Sequence, residues 1–285
     1  GRAAFVDVGT NHSVPGLLAA LEARGLPPEA VDYVIVTHVH LDHAGGAGAL
    51  LRELPRARLV VHPRGARHLV DPSKLLAGAA EVYGGPDRLR ALYGEVLPVP
   101  AGRVDEAPDG HAIDLGGRPL RFLDAPGHAK HHLVVHDPVT RGFFTGDAFG
   151  ISYPAFATAG GPFLFPTTTP VQLDPPALHR SIDRMLAERP ERMYLTHFGM
   201  LEGEIERRAA ALHRALDEHV RLALAAPAGP GRRQALRRAV AGQLLEALAG
   251  HGFAGGRDEA LSIFALDLDL NAQGLEVWLD SRTGS

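Results

Sequence analysis

The apolar positions change period twice along the chain. Up to about residue 96, β-branched runs alternate with helical stripes. Ala4-Phe5-Val6 running into Asp7-Val8-Gly9 reads as a core strand entering a turn. Ser13 and Pro15 mark a helix start; Leu17, Leu18, Leu21 and Leu26 form its apolar side, and Gly25 with Pro27-Pro28 ends it. The pattern then predicts a strand over 33–37, a helix through Leu50, Leu51 and Leu54, and a strand at Leu59-Val60-Val61. Helical pieces follow over 64–94, broken by Pro72, Gly84-Gly85 and Pro86. Between 97 and 147 the apolar runs shorten (Ile113 to Leu115, Leu120 to Leu123, Leu133 to Val135, Phe143-Phe144) and sit between Gly, Pro and Asp turns, which predicts β-strands. Residues 149–170 carry neither period. A helix is predicted over about 175–189, a strand at Met193-Tyr194-Leu195, and helices from about 201 onward, separated at Gly229-Pro230-Gly231 and at Gly250 to Gly256. The last segment is assigned to helix through Leu266, Leu270, Val277 and Trp278.

Composition narrows the function classes. The 285 residues are 45% hydrophobic and 22% charged, with a formal net charge of −4. No run approaches the ~18 apolar residues that a membrane span needs, and no basic block offers the footprint of a nucleic-acid binder. With no cysteine, disulfides and thiolate ligands are excluded. Residue 1 is glycine and a core strand follows at once, so the chain reads as starting inside its domain. The cytoplasm is a default location only.

The chemistry concentrates where strands end. Thr37-His38-Val39-His40-Leu41-Asp42-His43 follows the apolar run Tyr33-Val34-Ile35-Val36 and puts three histidines and an aspartate within six positions. Imidazole and carboxylate are ligands that zinc and iron accept, so the loop reads as a metal nest. Three further ligand-type residues close later apolar runs: His128 in Ala125-Pro126-Gly127-His128, Asp147 in Thr145-Gly146-Asp147, and His197 in Thr196-His197-Phe198-Gly199. Strand ends on one edge of a sheet layer can converge. These seven residues would then serve two divalent metals sharing one carboxylate, with zinc as the first choice and iron or manganese as alternatives.

The order His-x-His-x-Asp-His, Pro-Gly-His, Thr-Gly-Asp, Thr-His resembles the metallo-β-lactamase superfamily over roughly residues 4–200. The resemblance implies an α/β chain folded as a four-layer αββα sandwich with metals at one edge of its two sheets. It implies a metal-binding domain at 1–200, followed here by a helical region at 201–285 that would cover the site or form a homodimer contact. It assigns His38, His40 and His128 to one metal, Asp42, His43 and His197 to the other, and Asp147 to the bridge. Asp7 would shape the loops beside the metals, and His132 matches the second histidine of Pro-Gly-His-x-x-x-His. The implied activity is hydrolysis of a small-molecule ester-type bond (carboxylic ester or lactone, thioester or phosphoester) by a metal-bridging hydroxide, with Asp42 as second-metal ligand and proton acceptor. Two rivals are kept: a mononuclear iron persulfide dioxygenase, which would not use His43 and His197, and a non-hydrolytic di-iron protein, which would place glutamate where His40 stands. The strand hairpin that precedes the Asp7 position in relatives is absent here.

The loop from Phe149 to Pro170 is where substrate choice is expected, because a long loop inside a compact domain is usually functional. Phe149, Tyr153 and Phe156 are its candidate substrate contacts, with the Tyr153 hydroxyl as an oxyanion donor in an apolar flap. His12, His62, His68, His111, His136, His179, His213, His219 and His251 read as surface or turn residues, with His12 the best exception because the loop after Asp7 should face the cleft, and His131 reads as exposed.

Overall fold

The computed structural model describes residues 1–283 and divides into two compact units. One comprises Gly1–Asp124 with His131–Gly146, and the other Ala125–Lys130 with Asp147–Ser285. This division falls elsewhere than the sequence-predicted boundary at residue 200.

In the first unit the chain runs β1 (Ala3–Val6), α1 (Val14–Glu22), β2 (Val31–Ile35), α2 (Leu41–Ala44), α3 (Ala47–Glu53), β3 (Arg58–Val61), α4 (Pro63–Val70), α5 (Ser73–Tyr83) and α6 (Pro86–Tyr93). Short strands β4 (Val104–Glu106), β5 (Ala112–Asp114), β6 (Pro119–Asp124), β7 (Leu133–Asp137) and β8 (Gly142–Phe144) follow. β1 to β4 pair in parallel, in that order, and β5 to β8 pair antiparallel. The period-2 rule then sorts the core. Ile35 and Val60 turn to one side and meet Phe122, Leu133 and Val135. Val34, Leu59 and Val61 turn to the other, against Leu21, Leu50, Leu51 and Leu69 of the helices. The helical pieces over 63–93 break at Pro72 and at Gly84-Gly85, as predicted, and Gly84 ends α5 in the left-handed region.

The second unit carries α7 (Pro175–Ala187), a hairpin β9 (Arg192–Leu195) and β10 (Gly199–Glu202), and the helices α8 (Ile205–Ala225), α9 (Arg232–Gly250), α10 (Arg257–Ile263) and α11 (Ala265–Thr283). Asp174 caps α7 by accepting from the Ala177 amide, with Pro175 in the first turn. The predicted apolar flap is a core instead. Phe156, Phe163 and Phe165 are buried with Leu236, Val240, Leu244, Phe264, Leu268 and Leu275. Phe156 touches Phe264 and Phe253 at ring-centroid distances of 4.4 and 5.4 Å. Four helices with apolar faces need a partner, and the loop aromatics supply it; burying an aromatic side chain offsets far more ordering entropy than exposing it as a flap.

Candidate metal centre

Each unit holds one part of the predicted ligand set. In the first, β1 and β2 are parallel and end together, which places Asp7 beside Thr37; the Asp7 amide donates to the Ile35 carbonyl. The Asp7 carboxylate then ties three groups. It accepts from the Thr37 amide at 2.8 Å and the Thr37 hydroxyl at 2.9 Å, and lies 2.8 Å from His43 Nδ1. The Thr37 hydroxyl also lies 3.1 Å from His38 Nδ1. Asp7 adopts φ +51° to make this knot, a strained conformation for a residue with a side chain and one that clusters at functional sites. His38 Nε2 stands 3.0 Å from His40 Nδ1, the His38 and His43 rings are 4.0 Å apart, and His43 Nε2 lies 3.7 Å from Asp42 Oδ2. His132 is fully buried and stacks on His38 at 4.8 Å. Gly146, with φ +49°, leaves room for them: a Cβ there would lie 2.6 Å from His132 Nε2 and on the Thr37 hydroxyl.

In the second unit the candidate ligands come from separated segments, and His128 is held by two distant supports. The Pro126-Gly127-His128 turn is pinned to α7, where the Asp174 amide donates to the Gly127 carbonyl at 2.8 Å and the Ser181 hydroxyl to that of Pro126 at 2.6 Å. His128 Nδ1 lies 2.8 Å from the Thr167 hydroxyl. The neighbouring Thr168 amide donates to the Asn271 side chain of α11 at 2.6 Å. Asp147 directs Oδ2 to His128 Nε2 at 3.5 Å and Oδ1 to His197 Nε2 at 3.9 Å. These separations exceed a hydrogen bond but suit atoms sharing an ion, since ligands at about 2.0–2.2 Å from a metal stand roughly 3–4 Å from one another.

The donor chemistry fits a metal. His38, His43 and His128 are each tethered through Nδ1 to a hydroxyl or carboxylate, which orients Nε2 as the ligating atom. Ligating histidines characteristically hand their other nitrogen to such a partner.

Several sequence expectations are corrected here. Phe149 and Phe156 are both 0% exposed, so neither side chain offers a free wall to a substrate. The Tyr153 hydroxyl donates to Asp267 of α11 at 3.0 Å. His131 is buried, edge-on to His40 at 5.8 Å; burial, with His40, His68 and His62 nearby, pushes its imidazole down to about 3. His62, His136 and His219 are buried as well. His62 caps α4 by accepting from the Arg64 amide, His136 stacks on Phe143, and His219 sits among the C-terminal helices.

Three contributors escaped the sequence reading. Thr37 and Thr167 hold the candidate ligands His38 and His128, and only their places beside His38 and within a threonine run hinted at it. Asp267 gave no signal, because its role depends on α11. Burial pushes its carboxyl up to about 6, against the pull of the Tyr153 hydrogen bond and of His197. Phe198, 49% exposed and 5.7 Å from the Tyr153 ring, is the accessible aromatic beside His197.

The sequence model described as Metallo-beta-lactamase superfamily matches residues 1–197. The chain belongs to the metallo-beta-lactamase superfamily. A metallo-beta-lactamase fold-containing protein of Sulfurisphaera tokodaii is 29% identical over 181 residues, 62% of this chain and 64% of that protein. A hydroxyacylglutathione hydrolase of Aeromonas hydrophila is 28% identical over 183 residues, 64% of this chain and 51% of that protein. The chain thus spans between half and two thirds of the length of these two relatives. The solved structure of a metallo-beta-lactamase family protein from Thermus thermophilus superposes with a TM-score of 0.67 at 22% identity, covering 99% of this chain and 86% of that one. The α/β metallo-beta-lactamase fold with a C-terminal helical region, expected from the sequence, is borne out. Among the described residues no helix is long and apolar enough to cross a membrane.

Proposed function

We propose that this chain is a binuclear metal-dependent hydrolase that cleaves a small-molecule ester-type bond, an acyl thioester or carboxylic ester before a phosphoester. His38, His40 and His128 would hold one divalent ion, Asp42, His43 and His197 the other, and Asp147 would bridge them. One observation carries the reading: the Asp147 carboxylate offers one oxygen toward His128 and the other toward His197, as a carboxylate bridging through both oxygens would. When bound, such metals supply Lewis acidity and lower the pKa of water toward neutrality.

The chain's own residues do the rest. Asp7 fixes the tautomer and direction of His43 and, through Thr37, of His38. Thr167 orients the His128 ring. Asp42, partly exposed, is positioned to take a proton at Oδ2. Tyr153 acts through Asp267, and Phe198 offers an apolar face to an acyl group. The acyl preference draws on the hydroxyacylglutathione hydrolase among the relatives.

The test is turnover of an acyl thioester, an aryl carboxylic ester and a phosphodiester by purified protein, with bound metal counted. Two equivalents of metal and chelator-sensitive hydrolysis of the acyl substrates are expected. A single iron with no hydrolysis would overturn the reading in favour of the dioxygenase alternative.

A further inference from the structure

Away from the ligand sets, α7 and α8 carry the same five-residue pattern: His179-Arg180-Ser181-Ile182-Asp183 and His213-Arg214-Ala215-Leu216-Asp217. Residues four apart share a helix face, so each helix presents a histidine beside an aspartate, while Ile182 and Leu216 go to the core. The two pairs interlock crosswise. His179 Nε2 lies 3.0 Å from Asp217 Oδ1, and His213 Nε2 lies 3.2 Å from Asp183 Oδ1. The remaining ring nitrogens face each other, Nδ1 to Nδ1, at 2.5 Å, with the rings 14° from parallel.

A neutral imidazole carries one N–H, and an ionised carboxylate only accepts. Both aspartates therefore draw the ring proton to Nε2, which leaves a lone pair on each Nδ1. Two lone pairs at 2.5 Å repel, and the rings, about a quarter exposed at 26% and 22%, have solvent to turn into. The arrangement calls for a cation between them. A shared proton would balance one of the two carboxylates, whereas a divalent ion balances both. Carboxylate–imidazole–metal is also the usual build of a histidine metal site.

We propose that His179 and His213 form a second, surface metal site, distinct from the Asp147 centre, for a borderline first-row divalent cation such as zinc, nickel or copper(II). Water fills the other positions, and the ion staples α7 to α8. Two nitrogens about 2.0–2.1 Å from a tetrahedral zinc stand about 3.3 Å apart, so binding parts the two nitrogens by under about 1 Å and swings both rings until their lone pairs, now head-on, converge on the ion. This assignment is independent of the hydrolase reading.

The experiment is zinc titration of the protein loaded at its main centre, with bound equivalents counted by equilibrium dialysis and elemental analysis. The parent should bind one equivalent more than His179→Ala or His213→Ala, and zinc should raise the Tm of the parent further. Copper(II) bound in place of zinc should show nitrogen hyperfine structure from two imidazoles, lost in either variant. Asp183→Asn and Asp217→Asn, at positions 68% and 71% exposed, should weaken binding by about 10–100-fold and serve if an alanine variant fails to fold. Equal stoichiometry in parent and alanine variants, or unchanged affinity in both asparagine variants, would overturn the site and leave a shared proton between the rings.

Discussion

The two parts of the ligand set are built by opposite strategies. In the first unit four ligand-type side chains come from one six-residue stretch, and one buried carboxylate, Asp7, ties that stretch to the end of the neighbouring strand. In the second, His128, Asp147 and His197 come from three places: His128 depends on Thr167 and, through the Pro-Gly-His turn, on α7, and Asp267 of α11 lies near His197. Local spacing can specify the first arrangement. Only tertiary packing can specify the second.

The sharpest way to break the comparison is at Asp147. Asp147→Ala should abolish hydrolysis and lower bound metal, with the far-ultraviolet circular dichroism unchanged. Normal turnover with full metal content would remove the residue from its assigned role. Next in size is Phe156→Ala, which should cost about 3–5 kcal/mol of stability, read as a lowered denaturation midpoint. If instead it changes substrate selectivity at constant stability, the loop is a pocket wall after all. Supports of the two strategies can then be compared directly. Asp7→Asn and Thr167→Val should each weaken metal binding by about 10–100-fold. Asp7→Asn should be the more damaging, since its carboxylate serves both Thr37 and His43. An equal loss in isothermal titration would mean that the first unit is no more dependent on one group than the second.

These contrasts also explain what the sequence revealed. The candidate ligand residues stood out in the sequence because their segments close apolar runs and most have a glycine or another candidate beside them. The strands and helices were legible because their apolar periods are clean, and α11 came out as a helix despite an alternating stretch at Phe264 to Leu270. The aromatic loop was misread. Nothing local distinguishes a phenylalanine lining a cleft from one filling a helical core; the difference lies in α8 to α11, far along the chain. Buried histidines failed for the same reason. His62, His136 and His219 have ordinary neighbours in sequence and acquire their surroundings only on folding.

The smallest expected effect is a pH dependence of stability. His219 is fully buried in the second unit, and burial lowers its imidazole to about 4. The unfolded chain therefore takes up the proton first as pH falls from about 6.5 to about 4, and stability is lost across that window. His131 acts with the same sign in the first unit. Asp267, raised to about 6 by burial, opposes them between about 4 and 6. His219→Leu should flatten the loss seen in urea midpoints at pH 7 and pH 5. An unchanged slope would place the acid sensitivity elsewhere.

The contact between Thr168 and Asn271 bears on how such chains can be recombined. Thr167 steadies His128, Thr168 is moored to α11, and a Cβ at Gly274 on the same helix would collide with the Thr168 carbonyl. A chimera that exchanged only the C-terminal helices would inherit a mismatched seat for this stretch and misplace a candidate ligand, His128, that it never touched. The heritable segment is therefore the 149–170 stretch together with α8 to α11, cut at Asp147 rather than near residue 200.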